Sequence, residues 1–143
     1  MLAVENVEFA YGGSSILNGL SLEVRDGEML GVVGPNGSGK TTLMRLVGGT
    51  LTPSNGAIRV DGSDLKDLGP GRRARLVAVV PQNPVLPLGF TVLQLVMLGR
   101  NPHLKLLQWE GRHDIEVAEQ AMRLTDTYRI AGRTLETLSG GER

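Results

Sequence analysis

The chain has 143 residues, the usual size of one domain, and its 15 basic and 15 acidic side chains balance. The balanced charge gives no overall reason to expect a nucleic-acid-binding protein, and the absence of cysteine excludes disulfides and cysteine-based zinc sites. The sequence shows neither a signal-peptide pattern nor an apolar run approaching the roughly 18 residues of a membrane span, so neither feature is predicted.

The N-terminal part of the chain predicts strands. Residues 2–11 alternate apolar and polar side chains, as a half-buried strand does. Residues 21–24 predict a short strand after the Gly12-Gly13 turn. Residues 28–34, EMLGVVG, are almost continuously apolar, which is typical of a strand covered on both faces in a parallel sheet.

A helix is predicted next, over residues 40–50, because its apolar residues recur at helical spacing until Gly48-Gly49. Residues 56–62 predict a strand that ends in an Asp-Gly turn. Residues 75–82 are again almost continuously apolar and predict a second buried strand, ended by Pro81.

The remaining part of the chain predicts helices. Thr91 is a suitable N-cap for an apolar helix over residues 92–98, which would end near Gly99. Asp114 is the predicted N-cap of a further helix. The residues expected to share a face of that helix are Ile115, Ala118 and Met122. The order of elements predicts an α/β fold with a helical subdomain from about Gln82 onward.

One glycine-rich stretch carries a chemical prediction. Residues 34–42, GPNGSGKTT, match the phosphate-loop pattern G-x-x-x-x-G-K-[ST], with a predicted strand before it and a predicted helix after it. Glycines let backbone N–H groups converge on a polyphosphate, and the helix adds its unpaired N-terminal donors. Lys40 would contact the β- and γ-phosphates, and the Thr41 hydroxyl would coordinate Mg²⁺. A chance glycine turn is the alternative.

Three motifs together resemble those of the ATP-binding subunits of ATP-binding-cassette (ABC) transporters. They are GPNGSGKTT, VPQNP and TLSGGER, in the family's order, and the resemblance spans the whole chain. It implies an α/β fold with a P-loop NTPase (RecA-like) core, an antiparallel β-subdomain and an α-helical signature subdomain, truncated in this chain. Residues 1–81 would form the nucleotide-binding core with the Walker A motif. Residues 82–143 would form the α-helical subdomain with the Q-loop and signature motif, without the C-terminal part of the domain.

The resemblance also implies individual roles. Tyr11 would stack on adenine, although an ordinary strand-end tyrosine is the alternative. Gln82 would sense Mg²⁺ and the attacking water, although a polar residue at a strand end is the alternative. Lys40 and Gln82 are the predicted catalytic residues, and Thr41 and Gln82 the predicted contacts of Mg²⁺.

The signature motif would act on a different nucleotide. In the family it covers the γ-phosphate held by a second subunit in a head-to-tail dimer. Here it is represented by Ser139, Gly140 and Gly141, followed by Glu142 where the family usually has glutamine. The residues predicted to bind ATP are Tyr11, Gly34, Pro35, Asn36, Gly37, Ser38, Gly39, Lys40, Thr41, Thr42, Ser139, Gly140, Gly141 and Glu142.

Residues 91–104 resemble the corresponding stretch in the ATPase subunits of importers of iron-siderophores, haem and cobalamin, which belong to this family. The implied function is an energy-coupling ATPase subunit that uses ATP and Mg²⁺ at the cytoplasmic face of the cell membrane. The implied partners are a second nucleotide-binding subunit, transmembrane permease subunits and, indirectly, a substrate-binding protein, with no nucleic acid. Residues 92–98 would add a docking surface for the membrane subunit, with simple core packing as the alternative, and the two roles are compatible.

Two other functions remain open from the sequence alone. One is a soluble ABC ATPase outside transport, and the other is a nucleotide-binding fragment without hydrolysis. The family's Mg²⁺-binding aspartate, catalytic glutamate and switch histidine are expected beyond Arg143, so we interpret the chain as an N-terminal fragment that is inactive alone. The arginine-rich residues 72–75, His103, His113 and Trp109 are read as surface, turn or packing residues.

Overall fold

The computed structural model describes residues 1–82, 84–105, 107–139 and 141. It separates into two compact units, Met1–Val79 and Val80–Arg143, which are described one at a time.

The first unit is built on a four-stranded antiparallel sheet in the order β2-β1-β3-β4. The strands are β1 (Leu2–Tyr11), β2 (Ser14–Val24), β3 (Asn55–Val60) and β4 (Ser63–Asp64). A two-residue turn joins β1 to β2, and its residues Gly12 and Gly13 both have positive φ angles, 53° and 89°. This conformation suits glycine and matches the twist of a hairpin. It fixes Tyr11 opposite Ser14 at the tip of the hairpin.

Two helices complete the first unit, α1 (Lys40–Val47) and α2 (Pro70–Leu76). The face of α1 that carries Leu43 and Leu46 is buried with apolar residues of the sheet. The core residues are Val4, Val7, Leu17, Leu43, Leu46, Ile58, Val60, Leu65 and Leu68. The sheet therefore supports the N-terminal end of α1, which follows directly from the phosphate-loop motif.

The second unit contains the helices α3 (Val92–Leu98) and α4 (Arg112–Leu124). Short 3₁₀ turns lie at Asn101–His103, Tyr128–Ile130 and Leu135–Thr137. The core of this unit is formed by Val92, Met122, Ile130, Leu135 and Leu138. Among the described residues, no helix combines the length and apolar character needed to cross a bilayer.

Two predicted strands are wrong. Residues 28–34 form no strand, and Met29 and Val33 are 96% and 93% exposed. Within residues 75–82, α2 continues through Leu76 and no strand follows, with Val80 94% exposed. A strand needs hydrogen-bonded neighbours, and no described residue pairs with either segment. The apolar pattern therefore did not by itself establish a strand at either segment.

Two helix details also differ from the prediction. The N-cap of α4 is Gly111, and Asp114 lies in the first turn, where its carboxylate accepts a hydrogen bond from the Gly111 N–H at 3.0 Å. Ile115 is 42% exposed, whereas Ala118 and Met122 are buried as expected. The N-cap of α3 is confirmed, because the Thr91 side chain accepts from the Gln94 N–H.

Candidate functional site

The phosphate-loop motif forms a tight turn before α1. The Ser38 N–H donates to the Pro35 carbonyl at 3.3 Å, and Gly37 and Gly39 have φ angles of 83° and 89°. Alternation of right- and left-handed backbone is the geometry of anion-binding nests. Glycine is favoured at both positions because a side chain is strained at such angles.

Helix α1 contributes further donors. Its first i-to-i−4 bond runs from the Leu43 N–H to the Gly39 carbonyl, at 2.8 Å. The N–H groups of Lys40, Thr41 and Thr42 come earlier and have no carbonyl within the helix to bind. Together with the helix dipole they make this end of α1 attractive to anions. The Thr41 residue is exposed there, whereas Thr42 is buried.

The Lys40 ammonium is held at the loop. Its Nζ donates to the Gly34 carbonyl at 2.8 Å and to the Pro35 carbonyl at 2.6 Å, with Ser38 Oγ at 3.4 Å. These bonds keep a full positive charge beside the backbone donors. The site thus combines a cation with a concentration of N–H groups in a small volume.

The β1–β2 hairpin packs directly on the loop. A Cβ placed on Gly39 would lie 2.9 Å from Leu17 Cδ2 and 3.2 Å from Ile16 Cγ2. The hairpin also carries Tyr11, which is 44% exposed and meets Phe9 edge to face at 4.8 Å between ring centroids. The first unit therefore brings the predicted base-stacking aromatic and the phosphate loop onto one packed framework.

The remaining predicted site residues belong to the second unit. Gln82 lies in an exposed bend, and Ser139 is exposed directly after the buried Leu138. Gly141 lies in a turn. The predicted roles of Gly140 and Glu142 fall outside the described residues.

Sequence reasoning missed a backbone ladder in the second unit. The Leu135 N–H donates to the Phe90 carbonyl at 2.9 Å, and the Val92 N–H donates to the Arg133 carbonyl at 3.0 Å. The Gly89 N–H donates to Glu136 Oε1 at 2.6 Å. No periodic pattern marks these short segments, so the sequence offered no signal for them. By contrast, the Thr-x-x-Gln spacing after Phe90 could have indicated the full capping box of α3.

A partly buried ion pair was missed as well. Arg100 Nε donates to Asp114 Oδ1 at 2.9 Å, and both side chains are largely shielded from solvent. The hydrogen bond from the Gly111 backbone, followed by the one from Arg100, lowers the pKa of the Asp114 carboxyl below its ordinary value. Asp114 therefore holds the start of α4 to the residues that follow α3.

The loop, its lysine and the following helix have the sequence and geometry of the P-loop class. The profile of the ABC transporter family matches residues 17–143. The chain belongs to this family.

Known relatives agree with this assignment. The hemin import ATP-binding protein HmuV of Pseudomonas aeruginosa is 43% identical over 144 positions, covering 100% of this chain and 54% of the relative. The cobalamin import ATP-binding protein BtuD of Halobacterium salinarum is 39% identical, covering 99% of this chain and 35% of the relative. A solved ATP-binding subunit of an ABC transporter superposes with a TM-score of 0.80 at 26% identity, covering 99% of this chain and 57% of that one. The chain thus spans about half the length of these relatives, or less.

Proposed function

We propose that this chain binds ATP as part of the energy-coupling subunit of an ABC importer that takes up haem, cobalamin or an iron chelate. The observation that carries the nucleotide assignment is the loop itself, where left-handed glycines, free helix donors and the Lys40 ammonium meet. The importer assignment is supported by the relatives named for hemin and cobalamin import.

The proposed binding mode follows from the chemistry of each part. Loop amides and the first turn of α1 bind the phosphate oxygens, and Lys40 turns from the loop carbonyls toward the β- and γ-phosphates. Hydrogen bonds to charged groups contribute about 1.5–3 kcal/mol each, against about 0.3–1 kcal/mol for a helix dipole. The donors therefore dominate the phosphate affinity, and Tyr11 adds stacking on the adenine.

The donor set at the start of α1 fits Mg²⁺, because the exposed Thr41 offers the hydroxyl oxygen that this ion accepts as a ligand. A bound Mg²⁺ would supply positive charge that offsets the negative charge developing during phosphoryl transfer. Thr41 would hold it, and Gln82 would orient both the ion and the attacking water. Among the described residues, no group of three or more acidic or histidine side chains forms a separate metal site.

The proposed partners follow from the signature motif. Ser139, Gly140, Gly141 and Glu142 would cover the γ-phosphate bound to a second copy's phosphate loop, in a head-to-tail dimer. Permease subunits would receive the motion through the loop at Gln82, at the cytoplasmic face of the membrane. A substrate-binding protein would act through the permease, without touching this chain.

The test uses the complete protein that contains this chain, reconstituted with its permease subunits in liposomes. We expect ATP-dependent uptake of one of haem, cobalamin or an iron chelate, and its loss in Lys40→Ala. We also expect Lys40→Ala to weaken ATP binding by one to two orders of magnitude, since at least one charged hydrogen bond is lost. Lys66→Ala, an exposed lysine of the same unit, is the matched control. Uptake that persists in Lys40→Ala would refute the proposal.

A further inference from the structure

The segment that follows Gln82 and the turn that precedes Ser139 are joined in the second unit. Their backbones form a short antiparallel ladder in which Thr91 and Thr134 are paired. The Leu135 N–H donates to the Phe90 carbonyl at 2.9 Å, next to this pair. A segment that follows Gln82 and a segment that precedes Ser139 therefore share a set of hydrogen bonds.

A side chain extends this ladder beyond its last backbone pair. Glu136 Oε1 accepts a hydrogen bond from the Gly89 N–H at 2.6 Å. Gly89 has a φ angle of 77°, so the chain turns there and its N–H is not part of the regular pairing. The bond is short, so it depends on the reach of the Glu136 side chain.

The turn that carries Glu136 is closed by its own bonds. The Thr137 N–H and Oγ1 both donate to the Thr134 carbonyl, at 3.0 and 2.7 Å. Leu135 and Leu138 are buried in the core of the unit on either side of Glu136. Glu136 therefore lies in a closed, anchored turn three residues before Ser139.

Apolar packing between the two segments is incomplete, although Leu86 and Phe90 pack against the core of the unit. A cavity of about 120 Å³ lies between the two segments, and its lining residues are Pro84, Leu86, Pro87, Leu88, Leu135 and Glu136. Leu88 is largely exposed. The Glu136 hydrogen bond therefore crosses beside an incompletely filled space, in addition to the backbone bonds at Phe90 and Val92.

We propose that Glu136 is a positioning residue that couples the loop of Gln82 to the signature turn through the Gly89 N–H. Displacement of the loop by the permease moves Glu136 and, with it, Ser139; a nucleotide-driven movement of Ser139 passes back by the same bond. The functional part of this inference rests on the proposed roles of Gln82 and Ser139.

Two substitutions separate the reach of the side chain from its charge. Glu136→Gln keeps an acceptor oxygen at the same distance and loses the charge, whereas Glu136→Asp keeps the charge and shortens the side chain. In the complete protein reconstituted with its permease, we expect Glu136→Asp to lower the permease-stimulated ATPase kcat several-fold with KM for ATP nearly unchanged. Glu136→Gln should stay close to the unaltered protein. Glu110→Ala, at an exposed carboxylate with no hydrogen bond or ion pair described, is the control.

Amide hydrogen exchange provides a readout that does not depend on transport or hydrolysis. We expect Glu136→Asp to speed exchange at Gly89 and also at Leu135 and Leu138, and Glu136→Gln to leave all three protected. Faster exchange at Gly89 alone would overturn the coupling, as would equal stimulated rates in the Asp and Gln variants. If the unaltered complex hydrolysed no ATP, the proposed function would fail, and the exchange pattern would decide this inference by itself.

Discussion

At the scale of single residues, Gly37 and Gly39 show how backbone angle and packing restrict the phosphate loop separately. Their φ angles are similar, 83° and 89°. A Cβ on Gly37 would meet no atom within 4 Å, whereas one on Gly39 would press against Leu17 and Ile16. Gly37 is therefore constrained by its angle alone, and Gly39 by its angle and its surroundings.

This difference predicts unequal costs for the same substitution. Gly37→Ala should lower the free energy of unfolding by about 1–2 kcal/mol, the cost of a left-handed alanine. Gly39→Ala should cost about 1–3 kcal/mol more, because the hairpin must shift to admit the methyl group. Urea unfolding followed by circular dichroism measures both values, and equal midpoints would show that the hairpin contact is unimportant.

Substitution of Tyr11 tests the contribution of the adenine base to ATP affinity separately from that of the phosphates. We expect Tyr11→Ala to weaken ATP binding by about 1–3 kcal/mol, the usual contribution of base–aromatic stacking, and Tyr11→Phe to bind nearly normally. Calorimetry with inorganic tripolyphosphate is the control, since that ligand has no base and its affinity should not change. A loss of tripolyphosphate affinity in Tyr11→Ala would instead indicate damage to the hairpin that supports the loop.

At the scale of elements, the Arg100–Asp114 pair joins the start of α4 to the residues after α3. The Gly111 N–H and the Arg100 guanidinium lower the pKa of the Asp114 carboxyl from its ordinary value of 3.8. A carboxyl whose pKa is lower in the folded than in the unfolded chain stabilises the folded state at pH values above its pKa in the unfolded chain. That contribution is lost as the pH falls through the folded pKa.

We expect this effect of pH to differ between the unaltered chain and the Asp114→Asn variant. Between about pH 5 and pH 2, the urea midpoint of the unaltered chain should fall further than that of Asp114→Asn. The asparagine still accepts hydrogen bonds but binds no proton in this range, so the other carboxylates titrate equally in both. Parallel pH profiles for the two proteins would exclude a role for this pair in acid unfolding.

Sequence patterns predicted individual helices and strands with local signals well, but they did not predict which extended segments pair in a sheet. The strand β1 and the helices α1 and α3 were predicted because each has a periodic apolar face or a recognisable cap within its own residues. The strands expected at residues 28–34 and 75–82 were wrong, because pairing depends on residues elsewhere in the chain. Asp114 was misplaced as the N-cap because Gly111 can begin α4 without a side chain.

The candidate site follows the same division. The phosphate loop could be predicted, since its glycines, lysine and following helix are adjacent in sequence. The Ile16 and Leu17 contacts on Gly39 and the Glu136–Gly89 bond could not, since they join segments distant in sequence. The hydrogen bonds from Lys40 to the loop carbonyls could not be predicted either, because every residue has a backbone carbonyl whatever its side chain.

At the scale of the whole molecule, large apolar side chains are exposed on the two segments whose sequences had predicted buried strands. Met29 and Val33 lie in one such segment and Val80 in another, and all three are almost fully exposed. Unpaired extended backbone with apolar side chains is prone to association between chains.

We therefore expect the 143-residue chain alone to self-associate and to bind a hydrophobic dye. A Met29→Lys, Val33→Lys double variant should reduce both effects, because lysine disfavours edge-to-edge pairing. Leu124→Lys, at an exposed leucine at the end of α4, is the control. The expectation would be contradicted if light scattering showed the unaltered chain to be a monomer and that monomer bound no dye.

The packing of Ile16 and Leu17 against Gly39 has a consequence for how fast a ligand is captured. Because folding of the hairpin already fixes the loop, its conformational entropy is lost when the chain folds and not when a ligand arrives. In the proposed binding mode, Lys40 exchanges its carbonyl partners for phosphate oxygens, which is a side-chain motion on the picosecond-to-nanosecond scale. We therefore expect capture of a phosphate-bearing ligand to be limited by diffusion and orientation, and not by rearrangement of the protein backbone.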